Sequence, residues 1–348
     1  MKKLILISFC LIISNSVLFA QPSVVEIKKP EISDNYLDIS KNIDAIIAEN
    51  PTKALELLNN ALDETDSQYE RFNLIFWGLS FAYAEQGDYK NCLDILLKGQ
   101  DEGLYYPIWT GQRLFPSYAE KLQELDNYET FIKKNEELKL QDQSESVPEY
   151  IIELPENYSV QKSYPLFISF TGGFGSHIGL SENWHSSKLK QEFIVAHFQG
   201  SVCQGSFLKS YGRNNLSQLA DMYNQIIKDY PVDTTQIILG AQSAGTYFTL
   251  KLAIDGLIPV KGISLAFPHI PRNLDFLNYQ VLADKDVRIS IMGGEFDFRR
   301  IVGTKEMSVN FDKNGIKNRL IIFSEKGHEF PDDFPHQLDL SIDFINTP

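Results

Sequence analysis

Gln236-Ile237-Ile238-Leu239-Gly240-Ala241-Gln242-Ser243-Ala244-Gly245-Thr246 is the stretch on which the chain turns. Residues 237–239 are an apolar run with the look of a buried strand. The run stops at small residues, and 247–254 (YFTLKLAI) then has the composition of a helix. A serine sits at the bend, with Ala241 two residues before it and Gly245 two after. Strand, sharp turn, serine and helix make a nucleophile elbow, in which the small flanks let strand and helix approach and the serine hydroxyl stands clear of the backbone. The helix N-terminus beneath it offers unpaired N–H groups to any negative charge that develops there. The common form is G-x-S-x-G; here Ala241 holds the first glycine position.

Around this stretch, apolar strands alternate with helical segments from residue 150 onward. Strand-like runs occupy 150–154, 166–170, 193–198, 261–267, 287–292 and 319–323. Residues 215–228 carry Leu216, Leu219, Met222, Tyr223 and Ile226 on one helical face, and a closing helix is expected near 337–345. Such alternation predicts an α/β domain with a mostly parallel central sheet. Ligands bind such sheets at the C-terminal strand ends. Three further turns follow strands there: Thr171-Gly172-Gly173-Phe174-Gly175-Ser176, Gly293-Gly294-Glu295-Phe296-Asp297, and Gly327-His328-Glu329.

Serine, acid and histidine thus occur in the chain order of the α/β-hydrolase superfamily. The region from about 148 to the end resembles its small serine esterases, the feruloyl-esterase-like and depolymerase-like group. That resemblance implies an α/β-hydrolase fold and a triad of Ser243, Asp297 and His328. It also implies an oxyanion hole made by the N–H of Ala244 and one from the Gly173/Phe174 region. Glu295 is a rival for the acid, and Asp297 takes the family's G-x-x-D position. Thr171 stands where the family's oxyanion loop usually starts with histidine. The activity implied is acyl transfer through an acyl-enzyme, without metal or organic cofactor. Tyr211, Trp184 and Phe267 are candidates for an apolar acyl wall; His177 and His269 are placed to line the pocket, with a structural role the favoured reading.

Residues 36–140 read as helical. Phe76, Leu79, Tyr83, Gly87 and Tyr89, followed by Cys92, Leu96 and Gly99, resemble a tetratricopeptide repeat. The trio Ala54, Leu58 and Ala61 lies 38 residues before its counterpart, against a repeat period of ~34. Residues 139–148 (KLQDQSESVP) are polar and aperiodic, and suggest a linker. At the N-terminus, Lys2 and Lys3 precede an apolar run from Leu4 to Ile13 and a small-residue cut near Ala20, the pattern of a secretory signal peptide. The expected layout is a signal peptide at 1–20, a helical repeat-like domain at 21–142 and an α/β-hydrolase domain at 143–348. The chain would then be exported, periplasmic or secreted, with no stable membrane span after cleavage.

Composition narrows the field. A formal net charge of −14 argues against nucleic-acid binding, which needs a basic face. Cys92 and Cys203 fall in different domains, which favours two buried, unpaired thiols. No Cys/His cluster has zinc-ligand spacing. The sequence therefore predicts a serine hydrolase acting on a small-molecule or polymer-linked ester, with a protein or peptide partner as an option for the helical domain. Two alternatives stand beside it: a serine peptidase of the same fold, and a repeat-based binding protein with a degenerate hydrolase domain.

Overall fold

A computed structural model describes residues 24–108, 116–212, 215–270 and 278–347. The leader at 1–20 lies outside the described residues. Ten strands are present among them: β1 (Val25–Ile27), β2 (Glu149–Glu153), β3 (Tyr164–Phe170), β4 (Ile194–Gln199), β5 (Val202–Gly205), β6 (Leu208–Ser210), β7 (Val232–Gln242), β8 (Gly262–Ala266), β9 (Arg288–Gly294) and β10 (Asn318–Phe323). Eight form one sheet in the order β1-β2-β4-β3-β7-β8-β9-β10, and β5 and β6 form a separate hairpin. From β4 to β10 every neighbour is parallel, and β2 runs antiparallel to β4. This mostly parallel sheet, with crossover helices and the two reversed strands β1 and β2 at one edge, has the α/β-hydrolase arrangement.

The pleat sorts the strand residues onto two cores. Leu166, Ile168 and Phe170 of β3 face the cluster that contains Met222, Ile226, Ile237 and Leu239. Phe167 of the same strand faces the other side, with Val195, Ile238, Trp184, Phe334 and Leu338. The expected helix at 215–228 is Leu216–Asp229, and the closing helix is Phe334–Asn346.

The helical region begins with Asp34–Glu49 and Pro51–Glu64, capped by Ser33 and Asn50. A near-continuous helix then runs from Gln68 to Glu85, with a π segment at Leu74–Leu79. Gly87, at φ 72°, turns the chain into Tyr89–Asp101. The small and large positions picked out from sequence lie inside: Ala54, Leu58, Ala61, Cys92 and Leu96 are all buried. Cys92 and Cys203 are free and buried.

Two boundaries differ from the sequence expectation. Residues 139–148 are not an aperiodic linker: the helix Tyr128–Glu145 continues through most of them. Its last turns lack an apolar stripe because polar contacts hold them. Asp142 accepts from the Tyr105 hydroxyl, and Gln143 bonds both Ser201 O and Cys203 N at 2.9 Å. The second difference is β1. It precedes the helices in sequence but pairs in parallel with β2. Among the described residues the chain therefore runs along the sheet edge at β1, leaves to build the helical module, and returns. The module's core is continuous with the sheet region, since Ile151, Ile178 and Leu208 belong to it. Among the described residues, no helix is long and apolar enough to cross a membrane.

Candidate active site

Ser243 follows the last residue of β7, and the helix Gly245–Ile254 begins two residues later. The register carries this level across the sheet: Gln242 lies beside Ala266, and Ala266 beside Met292. The turns after β7, β8, β9 and β10 therefore open on one edge.

Ser243 has φ 50°, a left-handed conformation unfavourable for a residue with a Cβ. Its surroundings over-determine it, as strained site residues require. The Ser243 N–H donates to Ala266 O at 3.1 Å, while Ser243 O accepts from His269 N at 3.0 Å and Thr246 N at 3.2 Å. Gly245 explains itself by distance: a Cβ there would stand 2.5 Å from Thr171 O, so only glycine lets the helix come this close to the end of β3. Ala241 is fully buried.

The other strand ends bring acid and base together. The His328 Nδ1 and Asp297 Oδ2 atoms are 2.6 Å apart, a hydrogen bond in which the ring N–H donates. Gly294 makes this possible, because a Cβ at that position would lie 2.1 Å from Gly327 O. Asp297 is buried, and its other oxygen accepts from Arg300 Nη1 at 3.1 Å. Burial pulls the His328 pKa below the ordinary imidazole range; the Asp297 hydrogen bond opposes this, and the Arg300 charge adds to it. The ring is then neutral near pH 7 and able to accept a proton. Glu295 turns elsewhere and takes the N–H of Glu325 at 3.1 Å.

Ser243 and His328 share neighbours. The Phe267 ring meets the His328 ring edge-on at 5.9 Å, and Phe267 directly follows Ala266, the acceptor of the Ser243 N–H. His269, bonded to Ser243 through its backbone, has its pKa lowered by burial and by the charges of Arg300 and His328. Among the described residues no hydrogen bond joins Ser243 Oγ to His328. In free enzymes this contact is often long and tightens only with substrate.

The Gly-rich loop 171–176 leans over the serine: a Cβ on Gly172 would be 3.3 Å from Ser243 Cβ. Among the described residues, the N–H groups of Ala244 and Gly173 make no backbone hydrogen bond, which leaves both available as donors. Phe174 turns toward the helical module's core.

Several expectations need correcting. Trp184 forms no acyl wall; it is fully buried between Phe167 and Phe334, in the core beneath the site. Tyr211 is buried too and works through its hydroxyl, which accepts from Thr171 N at 3.0 Å and donates to Phe198 O at 2.7 Å. At the position where the family's loop starts with histidine, Thr171 Oγ1 is buried without a hydrogen-bond partner. Sequence offered no sign of the Tyr211 contact, which spans 40 residues. Arg300 was also missed, although its position three residues after Asp297 was a usable signal. His177 is buried, in keeping with a structural role, and its backbone N–H donates to Gln199 Oε1 at 2.7 Å. A crevice of about 690 Å³, lined by His177, Tyr105, Phe207 and Lys209 among others, separates module and sheet edge and does not include Ser243, Asp297 or His328. Among the described residues, no group of His, Cys, Asp and Glu is placed to hold a metal ion.

The chain is similar to several solved structures. An uncharacterized protein from Bacillus cereus ATCC 10987 shares 17% identity at a TM-score of 0.49, covering 89% of this chain and 98% of that one. The Bacillus cereus carboxylesterase shares 17% identity at a TM-score of 0.46, covering 59% of this chain and 99% of that one. A fluorophosphonate-binding serine hydrolase from Staphylococcus aureus shares 12% identity at a TM-score of 0.42, covering 56% and 91% respectively. No protein-family model matches the chain. No curated protein matches it in sequence. At such identities a shared fold says nothing about substrate.

Proposed function

We propose that the protein is a serine hydrolase that cleaves carboxylic esters through an acyl-enzyme, and that it works outside the cytoplasm after losing the leader at 1–20. The observation that carries the reading is the Asp297–His328 hydrogen bond of 2.6 Å at the same sheet edge as a serine held at φ 50°. A carboxylate on Nδ1 fixes the tautomer that leaves Nε2 free to take a proton. Ser243 Oγ attacks the ester carbonyl as Nε2 accepts its proton. The N–H groups of Ala244 and the Gly173 region hold the tetrahedral oxyanion. The imidazolium then protonates the leaving alcohol, and water repeats the sequence to release the acid. The chemistry calls on no metal or organic cofactor.

The test is a fluorophosphonate probe on the full chain, followed by p-nitrophenyl esters and peptide p-nitroanilides. Wild type should label and hydrolyse the esters, and Ser243→Ala should lose labelling and at least ~10³-fold in kcat. Labelling that survives in Ser243→Ala, or a wild type that never labels, would remove the proposal. Preferential anilide cleavage would turn it into a peptidase.

A further inference from the structure

Besides Phe174 on the module's core and Ser176 as the cap of helix His177–Asn183, the loop 171–176 has two hydrogen-bonded supports. At its start the Tyr211 hydroxyl takes the Thr171 N–H. Near its end Gly175 exchanges both backbone hydrogen bonds with Lys209, Gly175 N to Lys209 O at 3.2 Å and Lys209 N to Gly175 O at 3.1 Å. Lys209 lies on β6, and the β5–β6 hairpin is not part of the main sheet. An isolated two-stranded hairpin is marginally stable at best, so this second support needs an anchor of its own.

On the sheet side Lys209 Nζ donates to Glu149 Oε1 at 3.1 Å and Gln199 Nε2 to Phe207 O at 3.4 Å; the helical module supplies the rest. Ser206 N donates to Tyr105 O at 2.8 Å, and Tyr105 N donates to Ser206 Oγ at 2.9 Å. Gln143 holds the hairpin's first strand through Ser201 O and Cys203 N. A Cβ on Gly205 would be 2.8 Å from the Pro107 ring, so the two backbones nearly touch. At the hairpin tip Phe207 has φ 64°, and its ring meets Tyr69 edge-on at 5.7 Å and Phe72 at 6.1 Å. Glycine or asparagine would take this backbone at lower cost. The aromatic contacts are what a phenylalanine adds there, and they come entirely from the module.

We infer that Phe207 is a positioning residue: its ring, seated on Tyr69 and Phe72, anchors the β5–β6 hairpin to the helical module and so sets the oxyanion loop through the Lys209–Gly175 pair. Its catalytic consequence rests on the hydrolase reading above; its structural consequence does not. A donor in this loop acts on charge that exists only in the transition state, so a loosened loop lowers kcat more than it raises KM.

The experiment compares Phe207→Ala, Phe207→Leu and Phe207→Tyr with Leu62→Ala in the full chain. Leu62 is also buried in the module core, on helix Pro51–Glu64, which makes none of the hairpin contacts above. Amide hydrogen exchange of residues 172–176, kcat and KM on a p-nitrophenyl ester, and Tm are measured. In Phe207→Ala, exchange in the loop should speed up and kcat should fall about tenfold or more with KM within about twofold. Phe207→Tyr should keep wild-type behaviour. Leu62→Ala should lower Tm while leaving loop exchange and kcat unchanged. If Phe207→Ala does not fold, Phe207→Leu carries the same expectation in smaller degree. Unchanged loop exchange, or the same loosening in Leu62→Ala, overturns the inference. A wild type that neither labels nor hydrolyses removes the hydrolase reading, and loop exchange alone then decides the anchor.

Discussion

The turn at Ser243 and the loop at 171–176 both belong to the proposed reaction centre, and their supports come from different distances. Ser243 is held by what lies next to it in the sheet or just along the chain: Ala266 O on the neighbouring strand, and the N–H groups of Thr246 and His269. The loop hangs from Tyr211 at one end, and at the other from the helix that Ser176 caps and from a hairpin fastened to the helical module and to Glu149 of β2. A turn held by adjacent strands has few ways to move. A loop held through intermediaries moves when any of them does. In the proposed site the elbow, the acid and the base form the rigid half, and the oxyanion loop forms the half that the rest of the molecule can adjust.

Asp297→Asn is the harshest way to test the rigid half. The asparagine fills the same space and can keep a contact with His328. Its amide N–H₂ facing Nδ1 would, however, favour the wrong tautomer and put the proton on Nε2. We expect kcat to fall by about 10³–10⁴-fold while the far-ultraviolet circular dichroism spectrum is retained. A loss of less than tenfold would mean that the Asp297–His328 pair is structural only, and the rigid half would have no catalytic meaning.

The contrast also explains what could be read from sequence. Ser243, Asp297 and His328 each follow an apolar strand, and each carries a glycine beside it or a few residues before or after it. Local composition was enough to propose them, because the glycines these turns need lie close to them in sequence, even though Gly245 packs against the distant Thr171 O and Gly294 against Gly327 O. The strands were legible for the same reason, since both faces of a parallel sheet are buried and the runs are apolar throughout. The supports of the oxyanion loop were not legible. Tyr211 had the composition of a pocket wall, and nothing near it in sequence names Thr171 or Phe198 as its partners. The last turns of helix Tyr128–Glu145 looked like a linker because Asp142 and Gln143 are held by polar contacts made across 37 and up to 60 residues. β1 was invisible for a similar reason: a three-residue edge strand has too few positions to show a period.

Tyr211→Phe tests the adjustable half with a smaller expected effect. The substitution keeps the ring and removes an oxygen that serves Thr171 N and Phe198 O, both buried. Leaving such groups unpaired costs about 1–3 kcal/mol, so Tm should fall. The loop also loses its first support, and kcat should fall about tenfold with KM little changed. If only Tm moved, the loop would be held by its far end alone and the hairpin would be the dominant support.

The smallest effect is expected at Glu295, two residues before Asp297. Its carboxylate accepts the Glu325 N–H at 3.1 Å and lies on the exposed side of the turn, while Asp297 is buried against His328. Glu295→Gln keeps an oxygen able to accept the same N–H and removes only the charge. An exposed charge is screened by water and salt. The ratio kcat/KM should therefore stay within about twofold of wild type, and its pH profile should keep the same acid limb. The Asp297→Asn measurement makes this near-null result informative. Two carboxylates on one turn differ in a single respect that matters, which of them accepts the ring N–H. If Glu295→Gln cost tenfold or moved the acid limb, the turn would have to rearrange during the reaction, and the half of the site described as rigid would share the mobility of the loop it faces.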